Sequence, residues 1–289
     1  MSATIETHTL EVPGVHLAYD VHGDLHSGET VLLLIGSPMG AAGFASLASH
    51  FPDRPVVTYD PRGVERSVRT DEAQASTTEQ HADDLHRLID ALGTGPVDVF
   101  ASSGGAVNGL ALVARHPEQV RTLVAHEPPL SHLLPDSEVI AAATEDIHST
   151  YLSRGSGPAM AKFIQLVMQE GELPADYLDR SEPDPAMFGL SAEDDGRRDD
   201  PLLGQDTDGT TTYQLDFESL AAASTRIVLA AGVESASQMT GRAAAAVAAN
   251  LDQELTLFPS HHAGFLGGEY GQQGDPDAFG ARLREVLAH

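Results

Sequence analysis

The chain contains no cysteine and no tryptophan, and its 289 residues include a single lysine, Lys162. Without cysteine there is no disulfide, no thiolate metal site and no cysteine nucleophile. Positive charge is scarce: 16 lysines and arginines face 43 aspartates and glutamates, a formal net charge of −27. A surface of that sign repels nucleic acid and anionic lipid, so neither is an expected partner. Long apolar runs are missing too. No stretch approaches the roughly 18 apolar residues that a membrane span needs. The opening segment, MSATIETHTLEVPG, has no basic cluster followed by an apolar run, so no signal peptide is read. The expectation is a soluble, cytoplasmic protein whose acidic, lysine-poor composition reflects its host's codon usage or salt conditions.

What is present is enough for one large domain, because 41% of the residues are apolar. Thr4 to Val12 and the following VHLAYDVHG alternate on either side of Pro13-Gly14, as the strands of a hairpin do. TVLLLIG, RPVVTYD, VDVFA, RTLVAHE, RIVLAAG and ELTLFP are short apolar runs bounded by turn residues, the pattern of buried parallel strands. Between them lie helical patterns. TTEQHADDLHRLIDALG sets Ala82, Leu85, Leu88, Ile89 and Leu92 at helical spacing with Gly93 as a stop. His81 and His86 on this helix are read as surface residues. Further helices are expected after Gly105, around GRAAAAVAANL and in the last 15 residues, DPDAFGARLREVLAH. Strands alternating with helices predict a parallel sheet covered on both faces.

One segment breaks the alternation. Residues 132–215 hold helical patterns such as PAMAKFIQLVMQEG and acidic loops such as AEDDGRRDD, without a clear buried strand. They read as a helical lid inserted after the sixth strand, between a first core part (1–131) and a second (216–289). The acidic loop is expected to be solvated surface rather than a metal site.

The stretch VDVFASSGGAVNGLAL runs from an apolar strand through two serines and two glycines into a helix. A very tight strand-to-helix turn strains its apex, and the residues two before and two after must be small. With Ser102 at the apex, Phe100 would have to fit. With Ser103 there, the flanks are Ala101 and Gly105, so Ser103 is the candidate nucleophile.

On these residues the chain resembles the α/β-hydrolase superfamily. ASSGG is similar to its nucleophile elbow, with alanine for the usual first glycine. YDPRGVERS, with Asp60, Arg62 and Gly63, resembles the segment after its fourth strand, and FPSHHAGF resembles its late histidine loop. The resemblance implies an α/β-hydrolase fold with a mostly parallel eight-stranded sheet. It also implies a serine activated by a histidine base, which suits because imidazole titrates near neutrality. His262 matches the family's histidine, because Gly264-Phe265 follow at the expected offset, and His261 becomes a neighbour. The acid has two candidates. The family's commonest position, three residues beyond the glycine ending the seventh strand, is Ser235 here, and Glu234 stands one residue early. The other family position is the end of the sixth strand. There Glu127 follows Ser103 by 24 residues, the spacing at which haloalkane dehalogenases and fungal zearalenone lactonases place a glutamate. Glu127 is preferred and Glu234 remains the alternative.

The oxyanion donors implied are the backbone N–H groups of Gly104 and Ser37. Ile35 stands where many members have a histidine. The expected function is hydrolysis of a carboxylic ester or lactone, of small to medium and partly apolar character, with no cofactor and no metal. Attack by an aspartate, as in dehalogenases and epoxide hydrolases, is disfavoured by serine at 103 and by the absence of tryptophan. The alternative from another class is a non-catalytic small-molecule binding protein on the same fold.

Overall fold

A computed structural model of the chain describes residues 5–73, 75–206 and 210–289. Thr4, expected to open the first strand, lies outside the described residues, as do Gln74 and positions 207–209 of the expected lid.

The expected hairpin is strands β1 (Ile5–Val12) and β2 (Val15–His22), antiparallel and in register from Ile5 opposite His22 to Val12 opposite Val15. The buried runs are β3 (Leu32–Ile35), β4 (Val56–Tyr59), β6 (Val97–Ser102), β7 (Val120–His126), β8 (Arg226–Gly232) and β9 (Thr256–Phe258). Across the sheet the order is β1-β2-β4-β3-β6-β7-β8-β9, parallel from β4 onward. These are the eight strands expected. Among the described residues there is a ninth, β5 (Val68–Arg69), which pairs with β2. Two residues carry too little periodicity to be read from sequence, and because of β5 the sixth strand of the sequence reading is β7.

Successive residues of the central strands point to opposite faces, and both faces are covered. Leu33, Ile35, Val57, Tyr59, Val99, Ala101, Leu123 and Ala125 pack under helices α2 (Thr78–Leu92) and α3 (Gly104–Arg115). Leu32, Leu34, Val56, Phe100, Val124, Ala230 and Phe258 pack against α1 (Ala45–Ser49) and the last helix, α8 (Pro276–Leu287). Burial on both faces is why these strands read as continuous apolar runs. Helix α2 begins at a reciprocal cap between Thr77 and Gln80 and ends at Gly93, which takes the left-handed conformation with φ 65°.

His81 is a correction. It is buried, at 3% exposure, on the same stripe as Leu85, Leu88 and Leu92. That stripe of i, i+4, i+7 and i+11 positions was the signal in the sequence. His86 is half-buried; it stacks on His116 at 3.9 Å and donates from Nδ1 to Gln119 Oε1 at 3.0 Å.

Between β7 and β8 lie α4 (Ser137–Arg154) and α5 (Ser156–Val167), several single helical turns and α6 (Phe217–Ala222). Ile140, Ala143, Ile147, Tyr151, Ala159 and Leu166 form a separate apolar cluster that is completed by Met239 and Ala243 of α7 (Met239–Asn250). A buried ion pair anchors the segment: Arg242 of α7 reaches both carboxylate oxygens of Asp136, at 2.5 and 3.0 Å, and Asp136 also accepts from Leu173 N at 2.8 Å. The acidic loop lies in solvent with its own pairs, Arg197–Asp199 and Arg198–Asp194. Among the described residues no helix is long and apolar enough to cross a membrane.

Candidate active site

Ser103 sits between the last residue of β6 and the first of α3 with φ 58° and ψ −128°, a backbone that an L-residue adopts only under constraint. The constraint is visible on both sides. Its N–H donates to His126 O at 2.9 Å, and its own carbonyl accepts from Ala106 N at 2.9 Å. A Cβ on Gly105 would fall 2.8 Å from the Gly36 Cα, so only glycine lets α3 start this close to the end of β3. A Cβ on Gly104 would fall 2.7 Å from the Ser37 carbonyl oxygen. The backbones of Ser37 and Gly104 therefore lie against each other beside Ser103.

Glu127, directly after β7, also has a positive φ of 51° and is completely buried. A buried carboxylate is costly unless its oxygens are occupied. Here they are. Oε1 accepts from Gly232 N at 2.8 Å and from the Ser235 hydroxyl, and Oε2 accepts from the Thr240 hydroxyl at 2.6 Å and from His262 Nδ1 at 2.5 Å. Burial alone would raise the Glu127 pKa. The charge of His262 and its hydrogen bond outweigh that, with help from His126 and Ser235, and hold the carboxyl well below the usual range. Burial likewise pushes His262 down, but the charge of Glu127 and their shared hydrogen bond prevail and its pKa is raised. The His262 side chain is 36% exposed. With Nδ1 committed to Glu127, Nε2 is the nitrogen left to accept a proton.

The other sequence candidates are also placed. Glu234 is exposed, and its N–H donates to Ser260 O at 3.0 Å. Ser235, at the family's commoner acid position, is buried against Glu127 instead. His261 accepts from Ala263 N at Nδ1 (3.1 Å), so its Nε2 carries the proton and donates to Gln273 O at 3.1 Å. It pins the loop, and the ring bonded to Glu127 is that of His262. Sequence reasoning missed Thr240 and His126. Thr240 lies 113 positions from Glu127, and nothing local marks it. His126 carried a signal, a histidine closing the apolar run Leu123-Val124-Ala125 at the end of a buried strand.

Residues 29–227 match the family model described as alpha/beta hydrolase fold. An uncharacterized hydrolase of Bacillus subtilis, YraK, is 33% identical over 269 residues, covering 91% of each chain. Among solved structures, a thermophilic esterase from Thermogutta terrifontis superposes with a TM-score of 0.64 at 18% identity, over 99% of this chain and 98% of that one. The enol-lactonase from Burkholderia xenovorans does so with a TM-score of 0.64 at 18% identity, over 98% of this chain and 100% of that one.

Proposed function

The chain belongs to the alpha/beta hydrolase fold family, and from that premise we propose that it is a serine hydrolase cleaving a carboxylic ester or lactone. The observation that carries the reading is the 2.5 Å hydrogen bond from His262 Nδ1 to the buried carboxylate of Glu127. It leaves a basic nitrogen on a partly exposed ring, in a fold whose strained apex residue is a serine. In this reading Ser103 Oγ attacks the substrate carbonyl as His262 Nε2 takes its proton. Glu127 holds the ring in that tautomer and stabilises the imidazolium. The N–H groups of Ser37 and Gly104 receive the developing oxyanion. His262 then returns the proton to the leaving alkoxide, which departs as an alcohol and leaves an acyl-enzyme on Ser103. Water, deprotonated by His262, releases the acid; a lactone gives the ring-opened hydroxy acid. Segment 132–215 acts as a lid, and a lid over a pocket suits a small to medium, partly apolar substrate. A macrocyclic lactone is the specific substrate we would try first, on the resemblance of the serine–glutamate–histidine spacing.

The test is a panel of chromogenic esters and lactones of graded size, read by burst kinetics, alongside labelling with a fluorophosphonate probe. A burst and a single adduct on Ser103 are expected. A folded protein that binds ligands of this class but neither turns over nor labels would overturn the reading in favour of a binding protein.

A further inference from the structure

Behind the Glu127 carboxylate lies a second serine–histidine pair that the proposed chemistry does not use. His126 ends β7, and its ring is completely buried. Phe100, Phe258, Phe265 and Phe279 surround it at ring-centre distances of 5.9, 6.1, 6.4 and 5.4 Å. Its Nδ1 lies 3.4 Å from the hydroxyl of Ser102, the register partner of His126 on β6. Among the described residues its Nε2 has no hydrogen-bond partner; it lies 3.8 Å from Glu127 Oε1. Burial pushes the His126 pKa down to about 4, with Glu127 opposing and His262 adding to the effect, so near neutral pH the ring carries one proton.

That proton has two possible homes. On Nδ1, it would be donated to Ser102 and would leave the Nε2 lone pair facing a carboxylate, negative against negative. On Nε2, the N–H dipole faces Glu127 and the Ser102 hydroxyl donates to Nδ1, so both neighbours are satisfied. We propose that His126 is a positioning residue, held by Glu127 as the Nε2–H tautomer, whose N–H dipole steadies the Glu127 carboxylate and moderates the charge that reaches His262. The proposal rests on the serine-hydrolase reading. The two serines then divide the work: Ser103 presents its hydroxyl to substrate, and Ser102 occupies the remaining ring nitrogen of His126. The titratable groups acting on His126 are Glu127, its neighbour in sequence, and His262, from the loop after β9. The β6 and α8 side chains that touch it, Ser102, Phe100 and Phe279, do not titrate in this range.

The experiment pairs a spectroscopic with a kinetic readout. In ¹⁵N-labelled wild-type protein the His126 ring signals, assigned by their loss in His126→Phe, should show a protonated Nε2 and a bare Nδ1 that do not titrate between about pH 5.5 and 8. A protonated Nδ1, or titration near an ordinary imidazole midpoint, would overturn the proposal. In His126→Phe the limb of kcat/KM against pH set by His262 should move up by about half a pH unit, because the carboxylate loses its facing dipole, whereas Ser102→Ala, which keeps the ring and its Nε2–H, should leave the limb in place. His126→Leu, which also removes the ring N–H, guards against a folding failure of His126→Phe. An unmoved limb in whichever of these His126 variants folds, with Ser103→Ala inactive, sinks the inference alone. Undiminished turnover in Ser103→Ala sinks the underlying reading, while the ring signals still decide the tautomer.

Discussion

The hydroxyl of Ser235 rests on Oε1 of Glu127, so the position where this family most often carries its aspartate supports a glutamate that reaches in from β7. The two positions share one space, and the expected effects follow from that. Glu127→Gln keeps the volume but sets an amide N–H₂ against His262 Nδ1–H or Thr240, and turns the imidazole toward the wrong tautomer. Turnover should fall by about 10²- to 10⁴-fold. Glu234→Gln should be nearly neutral, because that side chain stands in solvent. Ser235→Asp alone should also lose activity, since two carboxylates at hydrogen-bond distance cannot both ionise. Combined with Glu127→Gln, Ser235→Asp should restore part of the loss. Initial rates of the four variants on one ester check this, and activity surviving in Glu127→Gln would remove the acid from the scheme.

The pH profile has a definite sign. A base works only when neutral, and the His262 pKa is raised by Glu127. The rate should therefore climb through one limb whose midpoint lies above the ordinary imidazole value of about 6.5. In Glu127→Gln the residual activity should show that limb at lower pH, because burial then acts without its counter-charge. A limb that stays put would mean that the carboxylate does not act on the base.

Ser103→Ala should leave the melting temperature within a few degrees of wild type and lower ester turnover by roughly 10³-fold or more. The same change at Ser102 should cost far less. Mass spectrometry after fluorophosphonate treatment should find the adduct on Ser103 only. Equal losses at both serines would contradict the assignment of the apex.

Local rules made much of this legible. The small flanks Ala101 and Gly105 singled out one serine of two, and the alternating and continuous apolar runs located all but the shortest strand. What they could not supply was the company that a residue keeps over long separations. His262 and Glu127 were each singled out, but their contact spans 135 positions, and the Ser235 and Thr240 hydroxyls join it from 108 and 113 away. Only the pairing of β7 with β8 and of β8 with β9 brings these groups together. His81 differs for another reason: its polarity suggests the surface, but its place on the apolar stripe of α2 buries it.

The segment after β7 is tied to the core by Asp136 and Arg242, both largely buried, with side-chain exposures of 4% and 15%. Removing one partner strands the other's charge. Arg242→Met should destabilise the protein by about 3 kcal/mol, and hydrogen exchange should quicken within 132–215 before the sheet is affected. If that segment is a lid, KM should change more than kcat, and labelling of Ser103 should persist. Uniform loosening of the whole chain would show instead that the segment and sheet unfold as one.

The charge imbalance makes a prediction about substrates. Cations of the loop after β4, of α7 and of α5 are spent in pairs: Arg66 with Asp60 and Asp20, Arg62 with Asp84, Arg242 with Asp136, and Lys162 with Asp146 and Glu182. Exposed carboxylates such as Glu234 and Glu65 remain, on a chain of net charge −27. An anionic ester must approach against that field, which reaches roughly 30 Å at 0.01 M salt and about 3 Å at 1 M. At low salt, kcat/KM for an ester with a carboxylate tail should therefore be about tenfold below that of its neutral isostere. A quaternary-ammonium ester should lie above it, and both gaps should close as salt is added. The size of the salt effect separates steering from recognition. If the anionic ester is preferred, and stays preferred at high salt, an arginine inside the pocket must bind it, and the substrate would be an acid-bearing ester rather than a neutral one.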